Sequence, residues 1–206
     1  MKSFLPTDLE PRYLYSFFTS AIVPRPIAWI STIDNNGVPN LSPFSYFNMM
    51  STRPPVMVFS PGRNIRNGKQ KDTYENIKEV GECVIHMVTF PLAEKMNHTS
   101  ASFPRDIDEF KEAGMEAIPS DLVRPLRLKD SPIAFECKVN QIVELGTEGG
   151  AGCIVICEIL KIHVDESILT ERGTVDILKL DVIGRLGGNQ YCRIGVDNVF
   201  ELMRPE

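Results

Sequence analysis

The sequence predicts a mainly β domain, a closed antiparallel barrel with a few helices across its openings, and three observations carry that prediction. Apolar, β-branched stretches outnumber helical ones, turn signals join them as hairpins, and no strand–helix–strand rhythm recurs. Closing such a set into a barrel removes the edges an open sheet would leave exposed. With 206 residues, 43% hydrophobic and 24% charged, the chain is long enough to bury a real core and fits one domain over residues 1–206.

Residues 1–23 combine Pro6 and Pro11 with Tyr13, Tyr15, Phe17 and Phe18, a lead-in expected to form a short helix or strand over the barrel or against a partner subunit. Residues 27–33 place Ile27, Trp29, Ser31 and Ile33 on one face and Ala28, Ile30 and Thr32 on the other, which suits a barrel strand covered from outside, with Trp29 in the core. Asn36-Gly37 signals a two-residue hairpin with positive φ at both central residues. The returning arm carries Pro39 and Pro43, which lack an amide donor, so the ladder is expected to break off after Pro43 and release backbone amides among Ser45 to Asn48.

A short buried strand follows at residues 56–60 and a polar loop at 63–70. Thr73 (or Asp72) is expected to cap a helix through Val80, with Gly81 just past its end. Further along, a strand over 83–88 precedes a helix from Pro91 to about His98 and a short helix over 107–113 closed by Gly114. Ile133, Phe135, Cys137 and Val139 alternate with Glu136, Lys138 and Asn140, a strand with one wet face. Glycines at 146–150 turn it into a second strand over 153–164, making a long hairpin. A short segment near 174–178 and the glycine-rich stretch 185–191 complete the chain.

A formal net charge of −5 without a Lys/Arg cluster argues against a DNA or RNA partner. No apolar run approaches the ~20 residues of a membrane span and no signal-peptide region opens the chain, so the cytoplasm is the expected location. The five cysteines form no Cys-x-x-Cys pair, and Cys153 and Cys157 fall on one strand face as small apolar groups, so buried reduced thiols are expected rather than a metal or cluster. The three histidines lack metal-ligand spacing, and His86 and His163 read as structural or surface residues. Asp106, Asp108 and Glu109 read as partners of a helix start rather than as an acid/base pair. Nucleophile-elbow, Walker and complete dinucleotide-fold glycine patterns are absent.

Lys71-Asp72-Thr73 at a helix start is a phosphate candidate through free amides, a cation and a hydroxyl, although alone it also fits a plain cap with a solvated lysine. Arg63 offers a second cation. The stretch from Pro24 to Asn48, followed by Lys71-Asp72-Thr73, Met96-Asn97-His98-Thr99-Ser100, Asp108-Glu109-Phe110 and Arg185-Leu186-Gly187-Gly188-Asn189-Gln190-Tyr191, resembles the flavin reductase-like family of FMN-binding split-barrel proteins over nearly the whole chain.

The resemblance implies a Greek-key antiparallel split β-barrel that forms a homodimer and holds FMN near the subunit boundary. It also implies NAD(P)H as hydride donor to flavin N5, with free flavin, ferric iron or a redox protein as acceptor. Ser45, Tyr46, Phe47 and Asn48 then cradle the flavin ring, whose flat walls and polar pyrimidine edge they suit. Ser31 and Ser60 contact the ribityl chain or phosphate, and Lys71, Asp72, Thr73 and Arg63 hold the phosphate. Tyr191 lies near the site, and His98 is a candidate for contacting flavin or nicotinamide. Two alternatives stay open: a non-catalytic FMN carrier or store, and a related barrel that has adopted haem or a pyridoxal derivative.

Overall fold

A computed structural model describes residues 1–205. In chain order α1 (Pro11–Ala21) leads through β1 (Arg25–Pro26) to β2 (Ala28–Ile33), β3 (Pro39–Phe44), β4 (Phe47–Thr52) and β5 (Pro55–Phe59). Next come α2 (Asp72–Val80), β6 (Glu82–Met87), α3 (Ala93–His98), α4 (Glu109–Glu112), β7 (Ala117–Ile118) and β8 (Arg127–Leu128). The long strands β9 (Ile133–Glu144) and β10 (Cys153–Val164) precede α5 (Ile177–Leu180), β11 (Ile183–Arg185) and β12 (Tyr191–Arg193).

Seven strands form one antiparallel sheet in the order β3-β2-β6-β9-β10-β5-β4. Its two edge strands, β3 and β4, are consecutive in the chain and joined only by Ser45 and Tyr46. A link that short forces the sheet to curl until its edges meet, so the barrel is closed by covalent chain instead of by a ladder. This is a split barrel. Small sheets β1-β11-β12 and β7-β8 flank it.

The barrel interior is filled by Ala28, Ile30, Phe44, Phe59, Ile85 and Val155, and α2 adds Tyr74 and Ile77 to the same cluster. A second core lies outside β2 and β3, where Trp29 and Leu41 meet Met96 of α3 and Phe110 of α4. Hence β2 is buried on both faces, as its two apolar sets require. Cys83, Cys137, Cys153 and Cys157 are buried as expected, with Cys83 Sγ 3.8 Å from Cys157 Sγ, whereas Cys192 on β12 is only half-buried; His86, left open as structural or surface, is fully buried. The β9–β10 hairpin forms over the predicted span.

Four local expectations are corrected. The β2–β3 turn is longer than two residues: the Asp34 carboxylate accepts from the N–H groups of Asn36 (2.9 Å) and Val38 (2.8 Å), and Gly37 N–H bonds Asp34 O. Of that turn only Gly37 takes positive φ, +88°. Side-chain bonding by Asp34 has selected a type I turn with a left-handed glycine over the mirror-image turn that Asn-Gly alone suggests.

The β2–β3 ladder, second, survives past Pro43 to the Ala28–Phe44 pair, and Phe47 and Asn48 pair again with β5, so the interruption is confined to Ser45 and Tyr46. Pro39 and Pro43 sit on the free edge of β3, and Leu41, two residues from each, donates its N–H to Glu109 Oε2 (3.2 Å). That edge is thereby stripped of free donors. Third, α2 starts at Asp72 with Lys71 at the capping position and no side-chain cap, while Thr73 lies inside the helix. Gly81 closes it in the left-handed region as predicted.

Fourth, Glu136 is fully buried despite its place on the predicted wet face. Its carboxylate accepts from the N–H groups of Asp121 (2.8 Å) and Leu122 (2.6 Å) and lies 2.6 Å from His163 Nε2. The segment around Asp121 folds over that face, which the alternation of β9 cannot reveal.

Candidate active site

Arg25, one residue before the last of β1, is the centre of the site. The side chain is buried, and its Nη1 donates to Thr19 O (2.5 Å) and Ile22 O (2.6 Å). Nη2 donates to Leu186 O (2.9 Å), and Nε reaches Ser45 Oγ (3.4 Å). One guanidinium therefore ties the end of α1, the β11–β12 loop and the β3–β4 link, with backbone carbonyls and a hydroxyl as partners and no carboxylate.

Around it opens a cavity of about 870 Å³, bounded by α1, the β3–β4 link, the end of α3 and the β11–β12 loop. Its walls include Ile27, Pro43 and Met96, with the rings of Tyr15 and Tyr191. Arg185 stacks on Tyr191 with the guanidinium carbon 4.4 Å from the ring centre, and it bonds the Tyr191 hydroxyl and Gly188 O. Arg12 completes the rim. Among the described residues no backbone carbonyl accepts from the N–H groups of Ser45 or Tyr46, the two residues at the barrel split. Tyr46 is exposed overall, but desolvation of its phenol, and then the neighbouring Tyr15, raise the phenol above its ordinary range.

The phosphate candidates gather at a second place. Thr73 Oγ1 donates to Asn40 Oδ1 (2.7 Å), and Asn40 Nδ2 donates to Glu109 Oε1 (2.6 Å), so the first turn of α2 is pinned to β3. This consumes the Thr73 hydroxyl internally. Burial raises the Glu109 carboxyl above its usual range, against the lowering effect of its hydrogen bonds. Lys71 is half-buried at the helix start, and no side chain caps it there. Along the adjoining loop Arg63 lies 3.7 Å from Glu144 and donates to Gly68 O, while its Nε and Gln70 Oε1 are buried without partners. From Asn40 to Ser45 the strand rises roughly 17 Å, so β3 runs from the start of α2 to the cavity.

Of the residues expected in the site, Ser45 and Tyr191 line the cavity and Tyr46 stands beside it, exposed. Phe47 packs against the barrel core, and the Asn48 carboxamide accepts from Met49 N–H (2.8 Å). Lys71, Asp72, Thr73 and Arg63 cluster at the α2 end. Ser60 is half-buried and backs onto Gly152. Ser31 is fully buried on the outer face of β2, its Oγ without a partner, and does not reach the cavity. His98 is exposed against Phe103 and is not among the cavity-lining residues. Sequence reasoning assigned no role to Arg25, Arg12, Tyr15 or Asn97. The signal for Arg25 was a cation held between two prolines at the head of a buried strand; Arg12 carried none.

The family model described as flavin reductase like domain matches residues 20–178. The chain belongs to the flavin reductase-like family. This flavin reductase-like protein is 35% identical to a protein of Aquifex aeolicus over 92% of its own length and 94% of the relative's. Nitrilotriacetate monooxygenase component B of Bacillus cereus superimposes with a TM-score of 0.91 and 31% identity, covering 98% of both chains. The 2-nitrobenzoate 2-nitroreductase of Pseudomonas fluorescens gives 0.87 and 30%, covering 99% of this chain and 96% of that one. A split-barrel protein of Shewanella frigidimarina, 24% identical with a TM-score of 0.81, shares the fold over 100% of this chain and 99% of its own. Family and fold make the protein a flavin-linked oxidoreductase. Among the described residues no helix is long and apolar enough to cross a membrane.

Proposed function

We propose that this protein is an FMN-dependent NAD(P)H oxidoreductase working as a cytoplasmic homodimer. The observation that carries the reading is the line along β3: a helix start with Lys71 at one end, and at the other two unbonded amides opening onto a cation-lined cavity. The residues present suit the cofactor. Buried, unpartnered polar atoms on Arg63 and Gln70 lie in the loop that leads to Lys71, where a phosphate would supply acceptors and a ribityl chain hydroxyls. The α2 N-terminus and Lys71 favour an anion electrostatically. Bound FMN would supply hydride acceptance from a nicotinamide and onward delivery of electrons.

Placement and electrostatics are what the chain contributes. Ser45 and Tyr46 N–H groups would donate to the acceptor edge of the ring, and the buried Arg25 charge behind Ser45 would favour the negative charge of the reduced ring. Pro43 and Met96 supply apolar wall. The Arg25 clamp holds the β3–β4 link and the β11–β12 loop at fixed separation, so the cavity does not depend on either loop alone. Hydride transfer to a flavin ring needs no strong protein base in that cavity.

Purified protein should be yellow or take up FMN with saturation, and should favour FMN over FAD. Anaerobic NADH or NADPH should bleach the bound flavin within the mixing time of a turnover experiment. Protein that takes up no FMN would end the reading. Flavin that neither nucleotide bleaches would leave an electron carrier in its place, and a haem or pyridoxal spectrum would replace the cofactor.

A further inference from the structure

We propose that the cavity under α1 is a co-substrate site selective for an organic anion, whose carboxylate or phosphate oxygens are taken by Arg12 and Arg185. Where the flavin reading supplies the position of the reacting ring, this proposal depends on it; the anion selectivity stands on the cavity itself. The molecule carries a formal charge of −5, yet among the described residues three arginines and no carboxylate line this cavity. The ion pairs among the described residues all lie elsewhere. Three like charges around one volume repel, and among the described residues the buried Arg25 is hydrogen-bonded to neutral oxygens alone, so no neighbouring carboxylate offsets its charge inside a wall of low dielectric. An anion relieves both.

Arg185 is the rigid partner. Stacking on Tyr191 and bonds to Gly188 O and the Tyr191 hydroxyl fix its plane and leave further N–H donors free for paired oxygens. Arg12, on the first turn of α1, is exposed and long enough to close over a bound ligand. Between them Ile27, Pro43, Met96, Tyr15 and Tyr191 offer apolar and aromatic wall for a flat ring. At about 870 Å³ the cavity has room for such a ligand beside a cofactor ring. Two sources carry this chemistry: a small aromatic carboxylate, and the pyrophosphate of a nicotinamide dinucleotide.

Calorimetric titration of the isolated full-length protein with benzoate, benzamide and ADP-ribose tests this, in wild type, Arg12→Gln and the distant surface control Arg172→Gln. At least one anion should bind with saturation, weaken as salt rises, and weaken about tenfold or more in Arg12→Gln but not in Arg172→Gln. Benzamide should bind at least tenfold more weakly than benzoate if benzoate is the ligand class. Binding of benzoate alone identifies an organic-acid co-substrate, and binding of ADP-ribose alone identifies the dinucleotide. Failure of both anions to bind overturns the proposal, as does equal binding by Arg12→Gln and wild type. FMN uptake is read separately by absorbance, so anion binding without flavin uptake sinks only the flavin reading, and flavin uptake without anion binding sinks only this one.

Discussion

His86 shows at the scale of one residue how burial decides chemistry. The ring is fully buried, with Nδ1 2.9 Å from Trp29 O and Nε2 accepting from Leu128 N–H (3.0 Å). A carbonyl can only accept and an amide N–H can only donate, so the neutral Nδ1–H tautomer is the one that fits. Burial depresses its pKa from 6.5 to about 4. The unfolded chain therefore takes up a proton at a pH where the fold refuses it, and this share of stability is present near neutrality and lost as pH falls through that window. Between about pH 7 and about pH 4.5 the loss from this group is about 2 kcal/mol. Urea denaturation at both pH values should show that share in wild type and not in His86→Gln. Asn40 makes a second residue-scale case, because it alone joins Thr73 to Glu109. Asn40→Ala leaves a buried carboxylate short of a donor, and should cost about 2 kcal/mol in a denaturant titration while weakening FMN retention. Unchanged retention would detach the α2 start from the phosphate.

The consequences of elements meeting are read best from the loop between β5 and α2. It lies on the β9–β10 turn, with Arg63 N–H bonding Ala151 O (2.8 Å) and Gly150 N–H bonding Arg63 O (3.3 Å). Gly149 is required there, since a Cβ would stand 2.6 Å from Ile65 O, a backbone atom that cannot swing away. Gly149→Ala should push the loop off the turn, costing about 1–3 kcal/mol and raising the FMN dissociation constant measured by flavin fluorescence. Gly81→Ala, at φ +74° with open space around it, should cost about 1 kcal/mol and leave flavin binding alone. The pair separates a turn that shapes the site from a cap that only ends a helix.

For the whole molecule the exposed aromatic face of α1 matters most. Tyr13 (51% exposed), Phe17 (45%) and Phe18 (44%) stand out of the surface, and Phe4 packs edge-on against Tyr13 and Phe17. Contiguous apolar surface of this kind is what protein interfaces are built from, and it lies on the helix that roofs the cavity. If the proposed homodimer uses it, Phe17→Asp should shift sedimentation velocity from dimer to monomer and reduce flavin retention with it. A dimer that persists unchanged places the interface elsewhere.

Much of this was legible in the residue pattern because it rests on local rules. The two apolar faces of β2, the β9–β10 hairpin, the glycine after α2, the burial of Cys153 and Cys157 on one strand face and the motif order that marks the family all depend on spacing and short-range sterics. What only tertiary structure decided depends on atoms far apart in the chain: Leu186 and Ser45 converging on Arg25, the Asp121 segment covering Glu136, Glu109 taking the last donor of the β3 edge, and two residues closing a barrel. Periodicity reports which face of a strand is apolar, but not which distant segment brings a donor or a charge to meet it.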